Sequence, residues 1–81
     1  MHRAVIEVWL DSPSLAKAMY EALKPEVDSM PRIHYKASIE LSKLSVKLTI
    51  EAHSLSKLRA ALNSYLRWIT SIKGATSFLV G

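Results

Sequence analysis

The sequence predicts a two-layer α+β domain in which two helices cover one face of a three-stranded antiparallel sheet. Three observations support this: a β-branched run at the start, two alternating stretches separated by a short turn, and two stretches with apolar residues at helical spacing. The element order is β-α-β-β-α. The first helix returns the chain, so strands one and two run parallel and strand three opposes both. The order 1-3-2 then pairs every neighbour antiparallel, and the crossover is expected to be right-handed. Residues 1–81 then form a single domain.

The first strand is predicted over residues 3–10, which are rich in β-branched and aromatic side chains. Alternation assigns one face to Ala4, Ile6, Val8 and Leu10. The other face carries Val5, Glu7 and Trp9, and it is unusually apolar for a surface that meets only water. Trp9 is therefore either a candidate contact or a residue that a loop covers near the sheet edge.

The first helix is predicted to begin at Asp11-Ser12-Pro13, where Asp11 or Ser12 caps and proline has the φ of a first-turn residue. Its apolar stripe comprises Leu15, Ala18, Met19, Ala22 and Leu23, with Ala16 and Tyr20 beside it. Pro25 predicts that the helix ends near Leu23 or Lys24 and that residues 24–31 form a loop.

A hairpin with one solvent-exposed face is predicted over residues 32–41 and 44–52, joined by Ser42-Lys43. The inner face would hold Ile33, Tyr35, Ala37, Ile39, Leu41, Leu44, Val46, Leu48, Ile50 and Ala52. The outer face sets basic residues against Glu40 and Glu51, and antiparallel pairing could place opposite charges across from each other.

The second helix is predicted over residues 54–72, with Ser54 as its cap and Gly74 beyond its end. Its main apolar stripe comprises Leu55, Leu58, Leu62, Tyr65, Ile69 and Ile72. Leu66 and Trp68 lie off this stripe on opposite flanks. Apolar surface beyond one stripe indicates a second partner, and the alternative is a helix held unusually deeply by its own domain. Two readings stay open for residues 75–81: an added edge strand, or no fixed structure in isolation.

The formal net charge of +4 is compatible with a nucleic-acid partner or an acidic protein surface and selects neither. An RNA-binding α+β module is therefore an alternative hypothesis. Aromatic side chains on which single-stranded RNA stacks are lacking on this face. Its candidate RNA contacts are the basic residues of the hairpin, Arg32, His34, Lys36, Lys43 and Lys47.

The sequence offers little for catalysis. It has no cysteine and only two glycines, and its histidines have no metal-ligand spacing. We therefore nominate no catalytic, cofactor-binding or metal-binding residue, and we expect no cofactor. With no apolar run of membrane-spanning length and no visible signal peptide, we expect a cytoplasmic protein that does not enter a membrane.

The run Leu58–Ile69, with Leu58-Arg59 followed by Asn63-Ser64-Tyr65-Leu66-Arg67, resembles the signature helix of the smallest core subunit of the KEOPS complex. This is also called the CTAG family. The resemblance covers roughly residues 3–72, with matching length and element order, and the hairpin, the N-terminal strand and the first helix are similar to those of archaeal members.

The resemblance implies a non-catalytic homodimer that bridges two threonylcarbamoyl transferase subunits. The assembled complex makes threonylcarbamoyladenosine in the tRNA anticodon loop, so tRNA is a candidate partner within the complex. The transferase is expected to dock on the two helices. The candidate interface residues are Ala16, Met19, Tyr20, Leu23, Asn63, Leu66, Arg67 and Trp68. For the homodimer, strand edges or the outer residues Val5 and Trp9 are the candidates.

Overall fold

The chain folds as predicted into a two-layer α+β domain, with one strand added to the predicted sheet. The computed structural model describes residues 1–29 and 35–71, and the backbone of residues 75–80. The elements are β1 (His2–Leu10), α1 (Pro13–Ser29), β2 (Tyr35–Leu41), β3 (Ser45–Ala52), α2 (Leu55–Ser71) and β4 (Ala75–Val80). Ile33, Ile72 and Gly74, which figured in the sequence predictions, lie outside the described residues.

The sheet has the order β2-β3-β1-β4. β1 pairs antiparallel with β3, and β3 pairs antiparallel with β2, which confirms the predicted order 1-3-2. β4 pairs antiparallel with the free side of β1 and resolves the question of the tail in favour of an edge strand. The resulting order β-α-β-β-α-β is the ferredoxin-like arrangement.

The core lies between the sheet and the helices. Alternate residues of the inner strands, among them Ile6, Val8, Leu48 and Ile50, are almost completely buried there. Each helix contributes one stripe to this core. The stripes are Ala16, Met19, Leu23 and Val27 in α1, and Leu58, Ala61, Tyr65 and Ile69 in α2.

The buried stripes differ from the predicted ones at several positions. Ala18 and Ala22 are exposed while Ala16 is fully buried, because the helix is rotated so that its bulkier residues Met19 and Leu23 meet the sheet. Leu55 is 44% exposed at the start of α2. At the hairpin turn, Leu41 and Leu44, which were predicted to face inward, are 43% and 38% exposed.

The prediction that α1 ends before Pro25 is wrong, since the helix continues to Ser29. Proline removes the N–H that would bond to the carbonyl of Glu21, but Glu21 is exposed and water can satisfy that group. Two gains offset the lost bond: Val27 is buried in the core, and Lys24 lies 3.1 Å from Asp28.

Serine side chains cap both helices. The Ser12 Oγ accepts a hydrogen bond from the Leu15 amide at 3.2 Å, and the Ser54 Oγ accepts one from the Lys57 amide at 3.2 Å. Each satisfies one amide that has no partner within the helix. The prediction is confirmed for Ser54 and decided in favour of Ser12 at the first helix.

We expect Ser12→Ala and Ser54→Ala each to lower the free energy of unfolding by about 1 kcal/mol, because each removes a cap. Urea denaturation would measure this. Ser42→Ala, at an exposed position in the hairpin turn, is the control and should change stability by less than about 0.5 kcal/mol. Cap variants no less stable than this control would contradict the assignment.

Within the described ranges 1–29 and 35–71, neither helix combines the length and apolar character needed to cross a membrane.

Candidate interaction surfaces

The outer surface of α2 carries an apolar ridge outside its buried stripe. Leu55, Leu62 and Leu66 are spaced by seven and four residues, so they share one flank of the helix. Leu62 and Leu66 are half-buried against the core, and Leu55 is exposed. We call these three residues the leucine ridge. Of these three, the sequence placed only Leu66 in the candidate interface, because it assigned Leu55 and Leu62 to the main stripe of the helix.

Trp68 lies on the opposite flank of α2, half-buried. Its ring packs edge-on against Tyr65, with centroids 5.2 Å apart and an interplanar angle of 84°. This geometry is a favourable aromatic pairing and holds the indole in place. Asn63 and Arg67 are exposed on the helix surface between the two apolar flanks. All four candidates that the sequence placed on α2 are therefore at least partly accessible on that helix, with Leu66 and Trp68 on opposite flanks.

The candidates on α1 divide into two groups. Tyr20 is half-buried at the edge of the core and part of its surface remains accessible. Ala16, Met19 and Leu23 are 0%, 1% and 1% exposed, because they form the stripe that packs on the sheet. These three are not at the surface of the folded chain. The candidate interface on the helices is thereby reduced to Tyr20, Asn63, Leu66, Arg67 and Trp68, to which the ridge adds Leu55 and Leu62.

Among the described core residues, Tyr65 has a buried polar side-chain atom without a hydrogen-bond partner. Its side chain is fully buried, and its hydroxyl has no hydrogen-bond partner among the described residues. Burial raises the pKa of Tyr65 well above its usual range, with smaller contributions from Tyr35 and Glu26. The hydroxyl therefore stays protonated, and it supports packing rather than chemistry.

The outer face of the sheet carries charged rows that alternate in sign. The register aligns residues of β1, β3 and β2 across the strands, and we name each row after its β1 member. The Arg3 row is Arg3, Glu51 and Lys36; the Val5 row is Val5, Thr49 and Ser38; the Glu7 row is Glu7, Lys47 and Glu40. Opposite charges thus lie across from each other in both charged rows, as the sequence indicated.

These rows bear on the candidate RNA contacts. Lys36 and Lys47 are exposed on this face, each beside a glutamate on the neighbouring strand, and Lys43 is exposed in the hairpin turn. Arg32 and His34 lie outside the described residues. Three basic and three acidic side chains offset each other in the two charged rows, so the face lacks the positive excess that attracts a phosphate backbone.

A shallow depression on the same face is lined by Lys36, Ala37, Ser38, Thr49 and Glu51. Its lining contains no histidine. Among residues 1–29 and 35–71, no cluster of histidine, cysteine and carboxylate side chains is suited to hold a metal ion.

Comparison with known structures shows the fold. The chain is similar to a monooxygenase from the gene ActVA-Orf6 of Streptomyces coelicolor, solved in complex with the ligand Nanaomycin D. The TM-score is 0.67 at 16% sequence identity, over 98% of this chain and 83% of that one. At this identity the likeness concerns the backbone arrangement alone. No curated protein sequence matches the chain.

Comparison with protein-family models shows the family to which the chain is related. The model of the family described as "Transcription factor Pcc1" matches residues 3–73, which is most of the chain and includes all elements from β1 to α2. The match spans the same stretch on which the sequence resembles the small KEOPS subunit. The chain therefore belongs to the Pcc1 family, the small subunits of the multi-subunit KEOPS complex.

Proposed function

We propose that this chain is a non-catalytic scaffold subunit that forms a homodimer and bridges two threonylcarbamoyl transferase subunits of the KEOPS complex. Family membership supports a role within that complex. In this role the chain itself binds no cofactor and does no chemistry on tRNA. It holds the enzyme subunits in position, and tRNA contacts arise within the assembly.

The observation that carries the proposal is the leucine ridge of α2. Its residues extend the apolar surface beyond the stripe that the sheet covers, and Leu55 remains 44% exposed. A partner helix laid along the ridge would bury these side chains, as in helix-in-groove recognition. Asn63 and Arg67 would then form the polar rim of the contact. Tyr20 and Trp68, which lie outside the leucine ridge, are the further contacts that we assign to the transferase.

The test is capture of the transferase subunit by tagged chains that carry charge on the ridge. We expect Leu55→Arg combined with Leu66→Arg to reduce capture at least about tenfold, because two cations would be desolvated in an apolar contact. Leu41→Arg combined with Leu44→Arg is the matched control, since these leucines are similarly exposed, at 43% and 38%, but lie at the hairpin turn and not on α2. The control should capture the transferase normally.

Circular dichroism decides whether a variant has lost its fold or its partner. A ridge variant that keeps the native spectrum and still captures the transferase would remove α2 from the proposal. A control variant that loses capture equally would show that the contact lies elsewhere on the chain.

The alternative function, RNA binding by the isolated chain, is less well supported, because the outer sheet face pairs its lysines with glutamates. Affinity for tRNA that falls steeply with salt and is lost in Lys36→Glu with Lys47→Glu would favour it.

A further inference from the structure

We propose that the outer face of the sheet is the dimer interface, and that two copies meet there about a two-fold axis that crosses the strands above the Val5 row. This inference rests on the homodimer of the proposed function and specifies its surface and orientation. The partner is a second copy of this chain. The argument is charge complementarity, which the register of the sheet makes explicit.

The two charged rows are inverted images of each other. Across the sheet, in the strand order β1, β3, β2, the charges of the Arg3 row are positive, negative, positive. The charges of the Glu7 row are negative, positive, negative. The uncharged Val5 row lies midway between them, two residues from each along every strand. Alternation within a single row is enough to satisfy neighbours in one chain; inversion between the rows is a second, independent property.

A two-fold axis above the Val5 row uses that inversion. Rotation about it lays each strand antiparallel over its own copy and brings the Arg3 row of one chain over the Glu7 row of the other. Arg3 then faces Glu7, Glu51 faces Lys47, and Lys36 faces Glu40, which gives three opposite-charge pairs and, by symmetry, three more. Sheets that pack face to face lie about 10 Å apart, a distance that such side chains can span.

The charges also disfavour a second face-to-face arrangement, in which the two-fold axis runs parallel to the strands directly above β3. An axis parallel to β3 would keep each row over its own copy. It would place Arg3 over Lys36 and would stack Glu51 and Lys47 each on the same residue of the second chain. All of these contacts join like charges, which are repulsive. The charge pattern therefore favours the axis above the Val5 row over an axis directly above β3.

Apolar residues at the ends of β1 fit the same axis. Trp9 lies two residues beyond Glu7, and Met1 lies two residues before Arg3, on the same parity of the alternation. The rotation places Trp9 over Met1 of the second copy. They are 46% and 70% exposed, and they are two of the five large apolar side chains exposed in the described chain. A thioether against an indole ring is a favourable contact.

The test reverses one row at a time. One variant carries Arg3→Glu, Glu51→Lys and Lys36→Glu; the other carries Glu7→Lys, Lys47→Glu and Glu40→Lys. Each reversed row still alternates in sign, so the pairing within a chain is retained and the fold should survive. In a homodimer of either variant, all facing pairs become like-charged. We expect the dimer dissociation constant to rise at least about 100-fold in each, measured by analytical ultracentrifugation.

The two variants should restore dimerisation in each other. When they are mixed, each row of one variant faces a row of opposite pattern in the other, so a heterodimer should form with near wild-type affinity. A chain with both rows reversed should again form a homodimer. High salt should weaken every one of these dimers, because the pairs are screened.

The outcomes separate this inference from the proposed function. A wild-type dimer that either row variant leaves intact would overturn the sheet-face interface, while the scaffold role could still use a strand edge. Row variants that become monomeric but do not combine would overturn the orientation. A wild-type chain that is monomeric at all concentrations would overturn this inference and the homodimer of the proposed function together. Transferase capture through the α2 ridge is measured separately.

Discussion

Met19→Lys is expected to unfold the chain. The side chain is 1% exposed and lies in the stripe of α1 that packs on the sheet, so the substitution buries an ammonium group without a partner. The effective cost of burying a charge is several kcal/mol. A domain of this size is stable by only roughly 4–12 kcal/mol, so most or all of that stability would be lost. Circular dichroism and urea denaturation would measure it.

Two further substitutions make this result interpretable. Ala18→Lys changes the neighbouring exposed residue of α1 and should leave the free energy of unfolding within about 0.5 kcal/mol of wild type. Met19→Leu keeps the apolar volume and should cost less than about 1.5 kcal/mol. If Met19→Lys instead folded normally and lost only the transferase, Met19 would belong to the partner interface rather than to the core.

Tyr65 is expected to respond in opposite directions to two substitutions. Tyr65→Ala should lower the free energy of unfolding by about 3–5 kcal/mol, because it empties a large, fully buried site beneath α2. Tyr65→Phe should raise it by about 1 kcal/mol, because it removes a buried hydroxyl without a partner among the described residues. Phenylalanine keeps the edge-on contact with Trp68.

Thermal unfolding gives a direct readout. For a domain of this length, 1 kcal/mol corresponds to a shift in Tm of about 4–8 °C. A Tyr65→Phe chain less stable than wild type would show that the hydroxyl makes a favourable contact in the folded state.

The pH dependence of stability, compared between the wild-type chain and Tyr65→Phe, is an independent check. In the unfolded chain Tyr65 loses its proton near pH 10, whereas burial raises its pKa in the folded chain and keeps it protonated to higher pH. Ionisation therefore favours the unfolded state, and wild-type stability should fall as pH rises above about 10. Relative to Tyr65→Phe, the fall should approach about 1.4 kcal/mol per pH unit. Below pH 9 the difference between the two proteins should be constant.

The sequence was sufficient where the decisive signal was local. The strict alternation in the hairpin predicts which residues of β3 face the helices, and Val46, Leu48, Ile50 and Ala52 are indeed buried. Serine before an apolar periodic run predicts a cap, and Ser54 is one. The order 1-3-2 follows from connection rules that depend only on the element order.

The sequence misled where distant parts of the chain compete with a local preference. Pro25 disfavours a helix interior, yet burial of Val27 against the sheet extends α1 beyond it. Periodicity placed Met19 and Leu23 correctly on one face of the helix, but it could not distinguish a face covered by the chain's own sheet from one left for a partner. That distinction decided three of the eight interface candidates, since Ala16, Met19 and Leu23 are buried.

By itself the sequence determined the fold class, the strand order of the first three strands and the family, because these depend on periodicity, turns and motif spacing within contiguous segments. The tertiary structure alone decided which apolar residues reach the surface and how the charged rows align. Helix rotation on the sheet settles the first, and strand register settles the second. Both depend on packing between segments far apart in the chain, which no local pattern encodes.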